Sequence, residues 1–350
     1  MKYIIELDGL RGISILLVFL SHAYMGHIIP GGLGVTIFFF ISGYIITELM
    51  IHEYVKSKEI SISNFYLRRW FRLMPALGIY VLACVLLQVA VGDPVFLTEI
   101  LSVVFYFANY YGIFFGFGGG ELISPYGVVW SLAIEEHFYL VYPLLFSLLF
   151  MRTRYFIGIL VFSLLIILMW RCYLVFDIGL ANLKHYRIYK ASDTRFDSIV
   201  YGVLFALLSR QNIFLQFFKS KFSKITGLLL LMMSLLVRDE SFRETFRYSI
   251  QGIGLGLLFQ HLIFERSVFK SILGLRLFVF FGEISYSLYL YHWLAFVFVD
   301  YYFHDVSVGI KISTMILLAV ILATLSRYFV ELPGLSYGAR FRANRARQVV

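Results

Sequence analysis

Apolar residues in this chain fill whole windows and do not mark one helical stripe or every second position. The stretch from Tyr155 to Phe176, for example, is apolar all round. Strands of a membrane barrel would alternate apolar and polar residues, so the pattern predicts helices. A helix needs about 20 apolar residues to cross a bilayer. Eleven segments approach that length: 10–28, 33–51, 73–92, 99–115, 129–150, 155–176, 194–209, 224–238, 247–264, 277–301 and 309–330. The predicted fold class is therefore all-α: a polytopic membrane bundle over residues 1–335, followed by a basic tail over 336–350. No repeat or soluble domain interrupts it.

Charge then sets an orientation. Lys56, Lys58, Arg68, Arg69 and Arg72 lie between the second and third segments, and Arg152 and Arg154 follow the fifth. Arg210, Lys219, Lys221 and Lys224 follow the seventh; Arg266, Lys270 and Arg276 follow the ninth. Arg340, Arg342, Arg345 and Arg347 form the tail, and Lys2 and Arg11 stand at the start. The positive-inside rule puts all these groups in the cytoplasm. Both termini are then inside, so the number of crossings is even. Segment 99–115, short and rich in Tyr, Phe, Asn and Gly, is read as a partial or re-entrant piece. That leaves ten full spans.

Composition removes alternatives. Of 350 residues, 60% are hydrophobic and 15% charged, against about 25% charged in soluble domains. The net charge of +9 speaks to orientation in a membrane, and no nucleic-acid partner is expected. Cys84 and Cys172 both sit in apolar runs, which predicts neither a disulfide framework nor a metal site. Lys2 before an apolar run resembles a signal peptide. Glu6, Asp8 and Arg11 interrupt that run and no small-x-small cleavage site follows, so the segment is kept as mature sequence.

Against this background, polar residues inside apolar windows are the candidates for chemistry. Eleven helical residues, about 16 Å of rise, separate Arg11 from His22 and carry His22 toward mid-bilayer. His22 reads either as a general base or as a buried histidine bonded to a neighbouring helix. Arg68, Arg69 and Arg72 lie in the aromatic run Phe65 to Pro75. Arg69 and Arg72 share a face if the run is helical, placed for phosphate oxygens or for plain topology anchoring. Glu135 and Glu136, followed by His137, start a span; adjacent helical positions diverge, so no carboxylate dyad is expected. One of the two would bind an acceptor while the other caps the helix or pairs with arginine. Asp197 is expected to be buried with Arg195 or Arg171, and His292 to bind substrate or a tyrosine hydroxyl. Ser285 to Tyr291 would satisfy polar groups between helices. Glu331-Leu332-Pro333 reads as a helix stop, and Gly118-Gly119-Gly120 as a mobile external loop. The basic, aromatic stretch from Lys184 to Lys190 reads as an external loop, solvated or touching an anionic saccharide.

In this order the motifs resemble the acyltransferase-3 family of bacterial membrane O-acyltransferases. They are Leu7-Asp8-Gly9-Leu10-Arg11-Gly12; Arg11 with His22; Pro30 to Val35 with Phe38 to Tyr44; Arg69-x-x-Arg72; Ser131-Leu132-x-x-Glu135-Glu136-x-Phe138-Tyr139; and Ser285 to His292. Three departures stand out. Val35-Thr36 replaces the common Val-Asp, His137 replaces a common Gln, and no esterase-like domain follows the last span, which implies the stand-alone type. The resemblance implies a bacterial cytoplasmic-membrane enzyme with no permanently bound cofactor. Its acyl-CoA donor, commonly acetyl-CoA, comes from the cytoplasm. Its acceptor is a saccharide or lipid-linked saccharide hydroxyl reached from the outer face. His22 and Arg11 would be catalytic, Arg68, Arg69 and Arg72 would bind the donor, and Glu135, Glu136, Asp197 and His292 would bind the acceptor or hold the structure. A transporter or flippase also uses intramembrane charges, but its paired broken helices in two related halves are not evident.

Overall fold

The computed structural model describes residues 3–348; Lys2 lies outside them, as do the side chains of Arg345 and Arg347. Among the described residues every regular element is a helix. Four helical stretches are long and apolar enough to cross a membrane: Gly31–Ser57, Ile62–Val91, Trp130–Asn182 and Val308–Asn344. A bent pair, Ser192–Leu208 with Asn212–Phe218, turns by 114° and adds a fifth if it counts as one span. The stretch Trp130–Asn182 is itself a hairpin. The Tyr142 and Phe156 rings are 6.4 Å apart, whereas fourteen residues of straight helix would separate them by about 21 Å. The chain reverses at Phe150–Arg152, where Arg152 leaves helical geometry.

Polarity is arranged inside out. Ile159, Phe162, Ile166 and Met169 form an outward stripe on helix Thr153–Cys172, each at least 45% exposed, while Arg171, Arg195, Asp197 and His292 are fully buried. A helix that turns its apolar stripe outward and its charges inward is matched to lipid, not to water.

Several sequence boundaries shift. The first helix is Ile5–Leu20 and does not continue to residue 28. It ends in a π-turn, Ser21–Met25, where Tyr24 takes a left-handed φ of 63°, so His22 sits at a helix end and not along a helix. The third helix starts at Ile62, eleven residues earlier than expected, because Ser61 caps it by accepting the Asn64 N–H. Segment 99–115 is two short helices, Leu97–Val104 and Ala108–Phe114. Segment 277–301 breaks at Ile284 into Arg276–Glu283 and Ser285–Tyr302. Pro333 does not stop the last helix. The π-turn Arg327–Glu331 precedes it and the helix runs on without a break into Leu332–Gln348, so the expected tail is helical through Gln348 and packs on the third helix. The Gly118–Gly120 loop is pinned: Gly118 N–H donates to Glu99 at 2.8 Å, and Glu121 and Leu122 N–H donate to Asp93.

The first helix packs along Arg276–Glu283 and the second helix. Gly12 makes the first of these contacts possible: a Cβ there would lie 1.9 Å from the Phe278 carbonyl oxygen. Gly282 returns the approach, with its own Cβ position 1.9 Å from the Asp8 carbonyl. Small residues of this kind let helix backbones touch. The contact brings Arg11 beside Ser285.

Candidate active site

Two adjoining cavities begin at the N-terminal end of the first helix. The outer one, about 340 Å³, is polar and lined by Tyr3, Asp8, Arg11, Arg72, Glu283, Tyr286, Arg327 and Glu331. The inner one, about 140 Å³, has Arg11, Arg69, Arg72, Ser42, Glu135, Tyr139, Ser285 and Tyr289 on its walls, with Phe38, Ile41, Ile45 and Leu49 of the second helix on its apolar side. Arg11, Arg72 and Tyr286 border both. A polar mouth followed by an apolar slot thus runs beside the first helix.

Three arginines converge there, each held differently. Arg11 donates to Ser285 Oγ at 2.9 Å and lies 3.5 Å from Asp8. Arg69 lies 3.2 Å from Glu136 Oε1 and stacks 3.4 Å over the Tyr139 ring. Arg72 is exposed into the cavities, and no hydrogen bond or ion pair to it occurs among the described residues. Of the three, its guanidinium is the one wholly unengaged among the described residues. At the mouth, Tyr3 donates to Asp8 at 2.6 Å; that bond, with burial and the Asp8 charge, pushes its hydroxyl up to about 12, so it stays protonated at neutral pH.

Arg68 stands apart. It faces outward and pairs with Glu53 at 2.9 Å, so the expected arginine trio is two residues plus Arg11. Depth along the third helix decides this: positions 68 and 72 lie one turn apart on the same side, and the turn at 68 meets Glu53 while the turn at 72 meets the cavities.

The glutamates diverge as helix geometry requires. Glu136 holds Arg69, and Glu135 accepts from Ser42 Oγ at 2.7 Å inside the inner cavity. Both therefore sit on the arginine side. His137 turns elsewhere, 2.7 Å from Ser192 Oγ. Asp197 is sealed in the bundle, paired with Arg171 at 2.6 Å; Arg171 also donates to Thr194 O and Ser249. Arg195 is not its partner. Its guanidinium lies 3.8 Å over the Tyr248 ring and donates to Thr36 Oγ1 at 3.3 Å. In the stretch Lys184 to Lys190, Arg187 grips Asp193 with two hydrogen bonds. Glu331 is buried, accepting from Ser287 and pairing with Arg327 at 2.8 Å.

The two expected histidines meet. His22 Nδ1 lies 3.0 Å from His292 Nε2, so His292 bonds no tyrosine hydroxyl. Its Nδ1 instead lies 3.0 Å from the Leu288 carbonyl oxygen. Tyr289 connects this pair to the cavity: it lines the inner end and its ring packs on His292 at 5.6 Å. Its hydroxyl donates to Val128 O at 2.7 Å and accepts from Ser131 at 2.6 Å. In the sequence Tyr289 is only one of several serines and tyrosines in its run. Ser42, Ser285 and the Leu288 carbonyl had no individual signal. Among the described residues no cluster of His, Cys, Asp and Glu could hold a metal ion.

Comparison with known proteins agrees with this picture. A Staphylococcus aureus (strain COL) protein provisionally named an O-acetyltransferase is 30% identical over 357 residues, covering 95% of this chain and 57% of that protein. The O-acetyltransferase OatA of Staphylococcus aureus (strain NCTC 8325 / PS 47) is 28% identical over 347 residues with the same coverage. The chain thus spans little more than half the length of these curated relatives. No solved structure matches it. The family described as "Acyltransferase domain" matches residues 4–329, nearly the whole helical bundle that holds the arginine-lined cavities and the histidine pair, and the chain belongs to that acyltransferase-3 family.

Proposed function

We propose that this chain is a multi-pass enzyme of a bacterial cytoplasmic (inner) membrane that transfers an acyl group, by the names of its relatives an acetyl group, from a coenzyme A thioester to a hydroxyl. The carrying observation is the polar-to-apolar cavity along the first helix, with Arg11 and Arg72 at its mouth and Tyr289 against the His22–His292 pair at its end. Guanidinium groups match the phosphates of a coenzyme A. The apolar slot suits the uncharged arm that carries the thioester. Arg72 is assigned the leading phosphate contact, since Arg69 is already engaged by Glu136.

In this reading His22 takes the proton of the acceptor hydroxyl as its oxygen attacks the thioester carbon. A carbon–oxygen bond forms, the carbon–sulfur bond breaks, and the thiolate leaves and is reprotonated to coenzyme A by the histidine. General-base help of this kind supplies roughly 10²- to 10⁴-fold. The acceptor is assigned as an envelope or exported saccharide reached from the outer face. Ten spans with both termini cytoplasmic complete the proposal, with Leu97–Val104 and Ala108–Phe114 as the partial segment.

The test uses radiolabelled acetyl-CoA and membranes from cells expressing the full chain. Wild type should label a membrane or glycan fraction, and His22→Ala should lose that label by about 10²-fold or more. Label equal in wild type and His22→Ala would remove His22 as the base.

A further inference from the structure

We propose that His292 is a positioning residue for His22: it accepts the Nδ1 proton of His22 and so leaves Nε2 as the basic atom. The inference rests on the reading of His22 as base and adds which nitrogen acts and what fixes it.

The argument starts at Leu288. Its carbonyl oxygen can only accept, and His292 Nδ1 lies 3.0 Å from it. That nitrogen therefore carries the hydrogen. His292 is fully buried, and no carboxylate is hydrogen-bonded to either ring among the described residues. With a single ring proton, on Nδ1, its Nε2 is a bare lone pair. The neighbour of that lone pair, 3.0 Å away, is His22 Nδ1. Two lone pairs do not bond, so His22 Nδ1 is the donor. His22 Nε2 is then left unprotonated, with no hydrogen bond among the described residues.

Ring geometry agrees. The imidazoles lie within 18° of one plane with centroids 5.2 Å apart. At a nitrogen–nitrogen distance of 3.0 Å that is the arrangement of an edge-to-edge N–H···N bond. Packing prevents a flip. Trp293 meets the His22 ring edge-on at 5.1 Å, and its own N–H is anchored on Ser124 O at 2.9 Å. Phe19 and Tyr289 hold His292 at 6.0 and 5.6 Å. The π-turn at Ser21–Met25 aims His22 across the gap toward helix Ser285–Tyr302; such turns recur at functional sites.

The chemical consequence balances. When Nε2 takes the hydroxyl proton, His22 becomes an imidazolium whose Nδ1–H still points at the His292 lone pair. His292 stays neutral and takes no proton. The proton on Nε2 then passes to the departing thiolate. The arrangement parallels a hydrolase triad in which the third member holds the tautomer without being protonated itself.

The test has two arms on the full chain in lipid. In the first, nitrogen NMR of 15N-histidine-labelled protein identifies the His22 signals by their loss in His22→Ala. The wild type should show a protonated Nδ1 and a bare Nε2 on His22, with coupling to His292 Nε2. A His22 protonated on Nε2 would overturn the proposal whether or not His22 is the base. The second arm compares His292→Phe and His292→Gln in acetyl transfer from acetyl-CoA. Phenylalanine keeps the ring but accepts nothing, and should lower kcat about 10²-fold with the acetyl-CoA KM unchanged. The glutamine amide oxygen can accept from Nδ1 and should restore most of that loss. Wild-type kcat in His292→Phe, with His22→Ala inactive, overturns the positioning role while sparing the base. Activity in His22→Ala overturns the base reading itself.

Discussion

Arg68 and Arg72 are four positions apart on one helix and differ in everything that matters for binding an anion. Arg72 projects into both cavities with free donors, and Arg68 is half-exposed on Glu53. An exposed ion pair of that kind is worth about 0–1 kcal/mol. Arg68→Ala is therefore expected to leave the acetyl-CoA KM near wild type, while Arg72→Ala raises it at least tenfold, the loss of a charge-assisted contact worth about 1.5 to 3 kcal/mol. Equal KM values in the two variants would contradict the assignment. Asp197 presents the opposite case, a sealed charge that lines neither cavity. Removing one partner of a buried pair costs about 3 to 5 kcal/mol, so Asp197→Ala should sharply lower the thermal midpoint in detergent. Arg171→Leu/Asp197→Leu should cost less, because it leaves no orphaned charge. A single variant as stable as wild type would mean that the pair is not buried as described.

At the scale of elements, the Gly12–Gly282 contact sets where Arg11 can be. Any side chain at 12 meets the Phe278 carbonyl within 1.9 Å, and backbone cannot yield as a flexible side chain can. Gly12→Ala should push helix Arg276–Glu283 away, separate Arg11 from Ser285, and cost about 1 to 3 kcal/mol as overpacking does. Gly78 is the control. It lies in the third helix with nothing within 4 Å of its Cβ position, so Gly78→Ala should be neutral or stabilising by up to about 1 kcal/mol. Thermal unfolding of the two variants side by side checks the contrast. The helix-end turn at His22 belongs to this scale too. The continuing apolar window predicts a first helix that runs on to residue 28; nothing in that window announces the left-handed Tyr24 that ends it.

For the whole molecule, the proposed orientation rests on which segments carry the basic residues. Lys56 stands in the last turn of the second helix, Gly31–Ser57, and Asp305 in the exposed turn between helices Ser285–Tyr302 and Val308–Ser326. Under the proposed topology, both termini inside and ten crossings, Asp305→Cys should react with a membrane-impermeant maleimide on intact cells. Lys56→Cys should react only after the membrane is opened. The reverse pattern would invert the topology; labelling of both on intact cells would remove the odd count of crossings between them.

What the sequence determined by itself is of two kinds. Windows apolar on every face force helices that satisfy their own backbone in lipid, so the all-helical class and the apolar spans were readable without coordinates. Short ordered motifs, Arg11 with His22 and Arg69 with Arg72 among them, carried the family. Both signals are local: they depend on neighbours within a turn or a window. The tertiary structure decided what depends on depth along a helix and on partners far along the chain. It placed Arg72 and not Arg68 in the cavity, gave Asp197 to Arg171 and not to Arg195, and turned both glutamates toward the arginines. It joined His22 to His292 across 270 residues of sequence. Spacing along the chain holds no record of such a contact, because it exists only once the first helix and helix Ser285–Tyr302 lie side by side.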